Sequence, residues 1–454
     1  MRRARQRYNR AIMDPVALTR KDVLLRAWPL VFANAAVPLA GVVDTFVLGL
    51  SGDARDLGGV ALGAALFNII YWSFYFLRMG TTGLTAQADG AGNETEVQRS
   101  LVRALLLAAA LGLVVLIARG LVASGGFAIL QGAPDVEAKG VDYFFARSWG
   151  APGAFGVFVL TGWLIGLGRS NETLIIHAVI SAVNIVLDLW FVLGLGYGPA
   201  GVGAATAIAE WTGLVIGLVF VARILSARGG WRDHVLTRSA LLDADALKRM
   251  VDVNLNLMIR TWTLIIGFTW FTNAGARQGT AVLAGNHVLI QVITVWAFVL
   301  DAFAFVAETE AGRAVGRKSV AALRRALRLS AEQALGAGAV FAVLTWAYGD
   351  EALTAIIDDV AARDAAIAFL PYCAIVPFLG AMAWIFDGIF IGATRGAMLR
   401  NAGIAAVAIY LVADLILSPL YANHGVWLAF LVFYIARAGA LAAHYPALEK
   451  RIAS

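Results

Sequence analysis

Long apolar runs of about 20 residues alternate with short polar or charged stretches along the whole chain. A helix of about 20 residues crosses the hydrocarbon core of a bilayer, which is roughly 30 Å thick. The pattern therefore predicts an all-α membrane protein. The twelve predicted spans are 28–50, 59–83, 102–125, 143–167, 172–196, 201–224, 254–275, 282–308, 331–349, 366–392, 401–420 and 425–445.

Internal repetition divides these spans into two halves. The run IGLGRSN at 165–171 matches IGATRGA at 391–397 with an offset of 226 residues, which also carries Asp188 onto Asp414. The runs GVGAA and GVWLA repeat nearby at an offset of 224. A duplicated helical bundle is typical of secondary transporters and predicts two pseudo-symmetric six-helix lobes. The predicted parts are a tail (1–27), a first lobe (28–224), a linker (225–253), a second lobe (254–445) and a tail (446–454).

Composition and charge support this interpretation. Of the 454 residues, 60% are hydrophobic and 15% are charged, against about 25% charged in a typical soluble domain. Basic stretches alternate with neutral or acidic ones, so the positive-inside rule predicts that both termini are cytoplasmic. The chain has a single cysteine and no P-loop, HExxH or GxSxG motif. We therefore expect a monomer in the lipid bilayer, with no enzymatic activity, no cofactor and no nucleic-acid partner.

Four oxygen-bearing side chains are predicted to lie at one depth in the first lobe. Asn184 and Asp188 are one helical turn apart in an apolar run, and Asp44 and Thr206 lie at the matching depth of neighbouring spans. A carboxylate in hydrocarbon costs at least about 2.5 kcal/mol, so it marks a functional site unless it is paired. These oxygens could bind a proton or Na⁺. The alternative is a structural hydrogen-bond network between helices.

A second polar group is predicted in the cytoplasmic half of the membrane. Opposite charges at matching depth can pair and close a cavity on one side; static salt bridges or snorkelling side chains are the alternative. The candidates for such a gate are Arg78, Arg260, Asp301 and Asp387.

Three further residues have secondary roles in this interpretation. Glu210 lies near the middle of its span and could join a proton path, and Asp414 is the counterpart of Asp188 in the second half. Pro29 lies in the first span, where proline either bends a helix or simply begins it.

The sequence also resembles a known transporter family. The resemblance depends on VDTFVLG, FLRMGTTGLTAQADGAGN, GWLIGLGRS, NIVLDLWFVLGL and GAATAIAE in the first half, and on LDAFAFVAE, AGRAVG and FDGIFIGATRGAMLRN in the second. Together these runs resemble the multidrug and toxic compound extrusion (MATE) family of the MOP superfamily. They are most similar to its DinF branch, typified by DNA-damage-inducible protein F.

The resemblance implies an inner-membrane antiporter that exports organic, often cationic or amphipathic, compounds in exchange for H⁺ or Na⁺. Two alternatives remain open: an exporter of organic anions such as citrate, with Arg78 and Arg260 as its sites, and a lipid-linked precursor flippase of the same superfamily. The acidic character of the first-lobe group argues against the flippase.

The resemblance also implies roles for individual residues. The family's coupling residues match Asp44, Asn184, Asp188 and Thr206, and its helix-one bend matches Pro29. Some relatives carry an asparagine where Thr161 stands. Other MATE branches place a carboxylate on helix seven, where this chain has Arg260, and this difference favours coupling in the first lobe.

Overall fold

All secondary structure in the described part of the chain is helical. The computed structural model describes residues 18–51, 53–232, 235, 237, 241 and 243–453. The helices are α1 (Arg20–Ser51), α2 (Ala54–Phe74), α3 (Phe76–Gly90), α4 (Glu94–Leu130), α5 (Pro134–Ser148), α6 (Ala151–Gly166), α7 (Ser170–Asp188), a π-helix (Leu189–Gly194), α8 (Gly198–Ala227), α9 (Ala244–Ala276), α10 (Thr280–Gly316), α11 (Val320–Ile356), α12 (Val360–Gly392) and α13 (Gly396–Ala453).

In the described residues these helices form twelve successive long helical segments, which we call rods. Nine are long and apolar enough to cross a membrane, and α5 with α6, bent by 55°, makes a tenth. The helix α9 is the eleventh rod. A kink at Ala422 divides α13 into two helices, which brings the number to twelve. Their outward faces carry exposed apolar side chains, such as Ile129 at 82% and Leu121 at 79% exposure. The predicted all-α, twelve-span fold is confirmed.

Most rods extend beyond the predicted spans because polar caps satisfy their terminal backbone groups outside the apolar core. Asn93 caps α4 by accepting from the amide of Glu96, and Ser319 caps α11 by accepting from the amide of Ala322. The two caps are 226 residues apart, so the repeat predicted from the sequence is also present in the backbone.

The clearest structural repeat is the close approach of rods within each half. A Cβ atom on Gly162 of α6 would lie 2.3 Å from the carbonyl oxygen of Arg78 on α3. A Cβ atom on Gly388 of α12 would lie 2.3 Å from that of Ala304 on α10. Both glycines and both carbonyls are related by the 226-residue offset, and only glycine permits these contacts. The pseudo-symmetry therefore extends to the packing of individual helices.

The halves differ in length immediately after Asp188. Gly201 packs against Phe191, ten residues earlier, whereas Gly425 packs against Leu417, eight residues earlier. The first half therefore has two additional residues in the segment that contains the π-helix. This difference changes the offset from 226 to 224.

The chain divides into two compact units. The N-terminal unit comprises Phe32–Thr85 and Asn93–Met250, and the C-terminal unit comprises Met1–Val31, Ala86–Gly92 and Val251–Ser454. The predicted lobe boundaries stay a prediction. Residues 1–17 of the predicted N-terminal tail, Ser454 of the C-terminal tail, and 233–234, 236, 238–240 and 242 of the linker lie outside the described residues.

Ion pairs explain why short pieces of α1 and α3 belong to the C-terminal unit. Arg26 of α1 lies 2.5 Å from Glu310 of α10. Asp89, near the end of α3, lies 3.0 Å from Arg313, also of α10. These contacts attach both helix ends to α10.

Candidate functional site

Two carboxyl groups lie side by side in the N-terminal unit. Asp44 of α1 is 9% exposed, Asp188 at the end of α7 is fully buried, and the two carboxyl groups are close enough to influence each other's charge. Among the described residues, no donor reaches Asp44 Oδ1 or either carboxylate oxygen of Asp188. Two facing acceptors repel each other unless a proton or cation lies between them. We call Asp44 and Asp188 the acid pair.

Asn184 and Thr206 complete the predicted group of four. Asn184 lies one turn before Asp188, is 2% exposed and is close enough to both acids to influence their charge. Its amide donates to Thr206 Oγ1 over 3.3 Å, while the Thr206 hydroxyl donates to the carbonyl of Val202 over 3.0 Å. The structure therefore brings together the four side chains that the sequence placed at one depth. Their functional role stays a prediction.

An apolar layer lies around the same helices. The hydroxyl of Ser181 on α7 donates to the carbonyl of Ala36 on α1 over 3.1 Å, two turns before Asp44. The layer consists of Val47, Leu48, Val60, Tyr143, Val192 and Val202. Apolar packing of this kind lowers the local dielectric and strengthens the interaction of the acids with any positive charge.

Arg147 of α5 is the cation of this site, and the sequence reasoning missed it. Its guanidinium donates to the hydroxyl of Tyr143 and lies over the rings of Phe67, Tyr71 and Tyr143, at 4.7, 5.3 and 5.7 Å from their centroids. Its charge acts on both members of the acid pair. Cation–π contacts hold a desolvated guanidinium in place without a bidentate carboxylate partner.

Glu210 of α8 belongs to the same group. The hydroxyl of Tyr71 donates to Glu210 Oε1, and an Arg147 nitrogen lies 3.9 Å from that oxygen. A Cβ atom on Gly150 would lie 2.2 Å from Glu210 Oε2, so glycine at this position lets the carboxylate approach. Of the described residues, only Arg147 contributes a positive charge that acts on Asp44, Asp188 and Glu210. The group thus has more acids than bases.

Three other predicted residues lie outside this group's contacts. Thr161 on α6 is 5% exposed, and its hydroxyl has no hydrogen-bond partner among the described residues. Arg78 is 1% exposed, with its guanidinium 5.0 Å from the ring centroid of Tyr75. Pro29 is buried, with α1 helical on both sides of it. Its role as a hinge stays a prediction.

The C-terminal unit contains three of the four gate candidates. Asp387 of α12 accepts from both Arg260 of α9 and Arg437 of α13, and all three are less than 8% exposed. Asp301 of α10 is close enough for its charge to act on Arg437. The fourth candidate, Arg78, is part of the N-terminal unit. The sequence interpretation therefore placed Arg260 and Asp387 in one group without pairing them, and it missed Arg437. A gating role for these residues stays a prediction.

Asp414, the counterpart of Asp188, has its own partners. Its Oδ2 atom accepts from the Trp270 indole over 2.8 Å and from Arg277 over 3.0 Å. Arg277 follows the end of α9, just beyond the predicted span 254–275, and the sequence reasoning did not consider it. Depth in the membrane, the criterion used for the acids, does not by itself identify a partner. A search for arginines at matching depth would have found these partners.

Comparison with known proteins agrees with the fold and with the sequence motifs. The MatE family model matches residues 29–190. DNA damage-inducible protein F of Escherichia coli K12 is 34% identical over 425 residues, which cover 92% of this chain and 90% of that protein. Multidrug resistance protein MdtK of Edwardsiella ictaluri is 26% identical, over 72% of this chain and 70% of that protein.

A solved structure with the same fold is the Vibrio cholerae MATE transporter VcmN in its bent form. The two structures superpose with a TM-score of 0.85 at 18% identity, over 95% of this chain and 97% of VcmN. At that identity the likeness concerns the fold alone. Taken with the 34% identity to DNA damage-inducible protein F over nearly the full length, the conclusion is direct. This chain is a multi-pass membrane transporter, not an enzyme, and it belongs to the DinF branch of the MATE family.

Proposed function

We propose that the protein is a secondary active antiporter that exports organic, cationic or amphipathic compounds in exchange for H⁺ or Na⁺. It works in the bacterial inner membrane with both termini in the cytoplasm. Relatives named as multidrug resistance proteins support the efflux role. The observation that carries the proposal is the acid pair: two buried, neighbouring carboxyl groups with acceptor oxygens that no described residue satisfies.

The pair enforces exchange through its charge. With one proton shared between Asp44 and Asp188, the pair carries one negative charge, which a bound organic cation neutralises. A second proton, or a Na⁺ ion, removes that charge, and the cargo then loses the attraction that held it. Only one kind of positive charge can be held at a time, so uptake of the ion on one side drives release of cargo there.

A proton suits this geometry better than Na⁺. Two neighbouring carboxyl groups can share a proton with no further ligand. A Na⁺ ion would need additional oxygens, and Asn184 and Thr206 are the nearest candidates. The Thr206 hydroxyl is already engaged with both Asn184 and Val202. Proton coupling is therefore the form of the proposal that we favour.

Export of organic anions has weaker structural support. The arginine that would bind an anion in the C-terminal unit, Arg260, is already paired with Asp387. An anion would have to displace that buried carboxylate.

Transport by purified protein in lipid vesicles tests the proposal. Wild type should take up a fluorescent organic cation when a pH gradient alone is imposed, and less when a Na⁺ gradient alone is imposed. Asp188→Asn and Asp44→Asn should each reduce pH-driven exchange by about tenfold or more, because the pair then loses its exchangeable charge. The matched control is Asp350→Asn, which removes an exposed acid.

Retention of full proton-driven exchange by both variants would contradict the role of the acid pair. Transport of a citrate-like tricarboxylate, but not of the cation, would favour anion export instead. Drive by Na⁺ alone would keep the antiport mechanism and replace the proton as its ion.

A further inference from the structure

The pseudo-symmetry places an acid in the C-terminal unit where the N-terminal unit has its coupling group. The 226-residue offset that relates the helix caps and the close glycine contacts carries Asp188 onto Asp414, Asp44 onto Trp270 and Asn184 onto Tyr410. The second acid of the pair is thus replaced by an indole. A lone buried carboxylate remains, which is fully inaccessible to solvent.

Asp414 differs from Asp188 because an arginine contacts its carboxylate directly. Arg277 lies 3.0 Å from Asp414 Oδ2, and the Trp270 indole donates to the same oxygen over 2.8 Å. The guanidinium carbon of Arg277 also lies 5.5 Å from the centroid of the Trp270 ring. A carboxylate and an aromatic face are the two contacts that bind an organic cation. Arg277 makes both of them.

Two polar atoms beside this pair lack a partner among the described residues. They are Asp414 Oδ1 and the hydroxyl of Tyr410, which lies one turn before Asp414. The Arg277 side chain itself is half exposed, at 50%, since it reaches in from the end of α9. In the part of the chain that the structure describes, the titratable groups found to interact with Asp414 are Arg277 and Tyr410. The balance of charge at Asp414 therefore depends on Arg277.

We propose that Arg277 is a built-in cation that occupies the C-terminal counterpart of the coupling site. It makes Asp414 unable to exchange a mobile ion, and so restricts coupling to the N-terminal unit. The restriction of coupling rests on the proposed antiport function, whereas the occupancy of Asp414 can be measured without transport. Removing the charge of Arg277 opens a second site for a small positive charge, and a proton from solvent fills it.

Infrared difference spectroscopy across a pH titration of the purified protein tests this directly. Asp414→Asn, with no other change, should leave the bands of protonated carboxyl groups as they are in the wild type at neutral pH, because Asp414 is already paired with the guanidinium of Arg277. In Arg277→Gln a new protonated-carboxyl band should appear. The double variant Arg277→Gln/Asp414→Asn should lack that band, which assigns it to Asp414.

Control variants separate charge from structure. Arg277→Lys keeps the positive charge and should show no new band. Arg363→Gln removes an arginine near the start of α12, at the same end of the unit by helix alternation, and should also show none. The inference is overturned if folded Arg277→Gln gains no band, or if Asp414→Asn alone removes one from wild type.

Transport gives a second measurement, which does not depend on whether Arg277→Gln folds. Asp414→Asn should retain proton-driven exchange within about twofold, in contrast to the roughly tenfold or larger loss expected of Asp188→Asn. An equal loss in both variants would overturn the inference and would leave the proposed antiport function intact. Full activity in both would overturn the proposed role of the acid pair, while the infrared result would still stand.

Discussion

The acid pair of the N-terminal unit and Asp387 of the C-terminal unit are both buried acids, but their negative charges are balanced in different ways. Asp387 accepts from two arginines, Arg260 and Arg437. Asp44 and Asp188 face each other, and Arg147 is engaged mainly with aromatic rings and a tyrosine hydroxyl. The charge of Asp387 is balanced within the protein, whereas the acid pair needs a positive charge from outside.

This contrast distinguishes acids that support the fold from acids that can exchange an ion. A buried carboxylate with its own arginines is expensive to separate from them, so it holds its geometry. A carboxylate pair without such partners changes its protonation or its occupant when the concentration of either changes. Stability measurements on matched variants should therefore give opposite results in the two regions.

The largest effect is expected for Asp387→Asn. It removes the carboxylate that two buried guanidinium groups share, and breaking a buried pair in this way costs about 3–5 kcal/mol of unfolding free energy. Thermal melting of the purified protein in detergent measures the loss. Asp364→Asn, which removes an exposed acid from the same helix, is the control and should melt like wild type.

The same assay on Asp188→Asn gives the other half of the comparison. This change relieves the repulsion between two facing carboxyl groups, so melting should stay at the wild-type temperature or rise. A drop as large as that of Asp387→Asn would show that the two regions do not differ in kind.

An intermediate effect is expected for Arg147→Gln. The variant loses three ring contacts and the only described cation near Asp44, Asp188 and Glu210. We expect a loss of about 2–3 kcal/mol, and a larger deficit at about pH 8 than at about pH 6, because ionised acids then lack a counter-charge. Melting curves at the two pH values measure it.

Arg119→Gln is the matched control for this prediction. Arg119 also lies over two aromatic rings, those of Phe145 and Trp149, and no acid pairs with it among the described ion pairs. Its loss should lower the melting temperature by the same amount at both pH values. An equally pH-independent deficit in Arg147→Gln would mean that Arg147 acts through packing alone.

The smallest effect is expected for Asp53→Asn, in the turn between α1 and α2. The neighbouring Arg55 side chain holds the pKa of Asp53 at about 2, below its usual 3.8. A lowered pKa stabilises the fold above pH 3.8, and the stabilisation is lost as the pH falls towards 2. Asparagine keeps the capping oxygen, so the variant should melt slightly lower at neutral pH. The difference should disappear in acid; a difference that persists there would show that the charge is not its cause.

Most of the fold could be predicted from the sequence because apolar length and loop charge determine where helices can cross a bilayer. The repeat could also be recognised in the sequence, because the turns at 165–171 and 391–397 require the same backbone conformation. Gly168 and Thr394 both have positive φ, 68° and 52°, and their amides donate to Ile165 and Ile391. Helix ends were less predictable, because caps such as Asn93 and Ser319 extend the rods beyond the apolar core.

That uncertainty about helix ends hid Arg147. The predicted span began at residue 143, which placed Arg147 at the membrane edge, but α5 begins at Pro134. Thirteen residues of helix put the arginine about 20 Å below that end, and Glu210 lies about 18 Å below the start of α8 at Gly198. The matching depth of the two would have suggested their contact. The acids were found because carboxylates in apolar runs are conspicuous, whereas arginine partners on other helices require the correct register.

The π-helix that follows Asp188 changes the direction in which the later side chains of this helix face. In a π-helix the backbone bonds skip one residue more than in an α-helix, so each side chain beyond Asp188 is turned by about 100° relative to a continuous helix. The first half therefore continues beyond Asp188 with its side chains facing another direction, whereas in the second half α13 stays α-helical past Asp414 up to the non-helical backbone at Ala422.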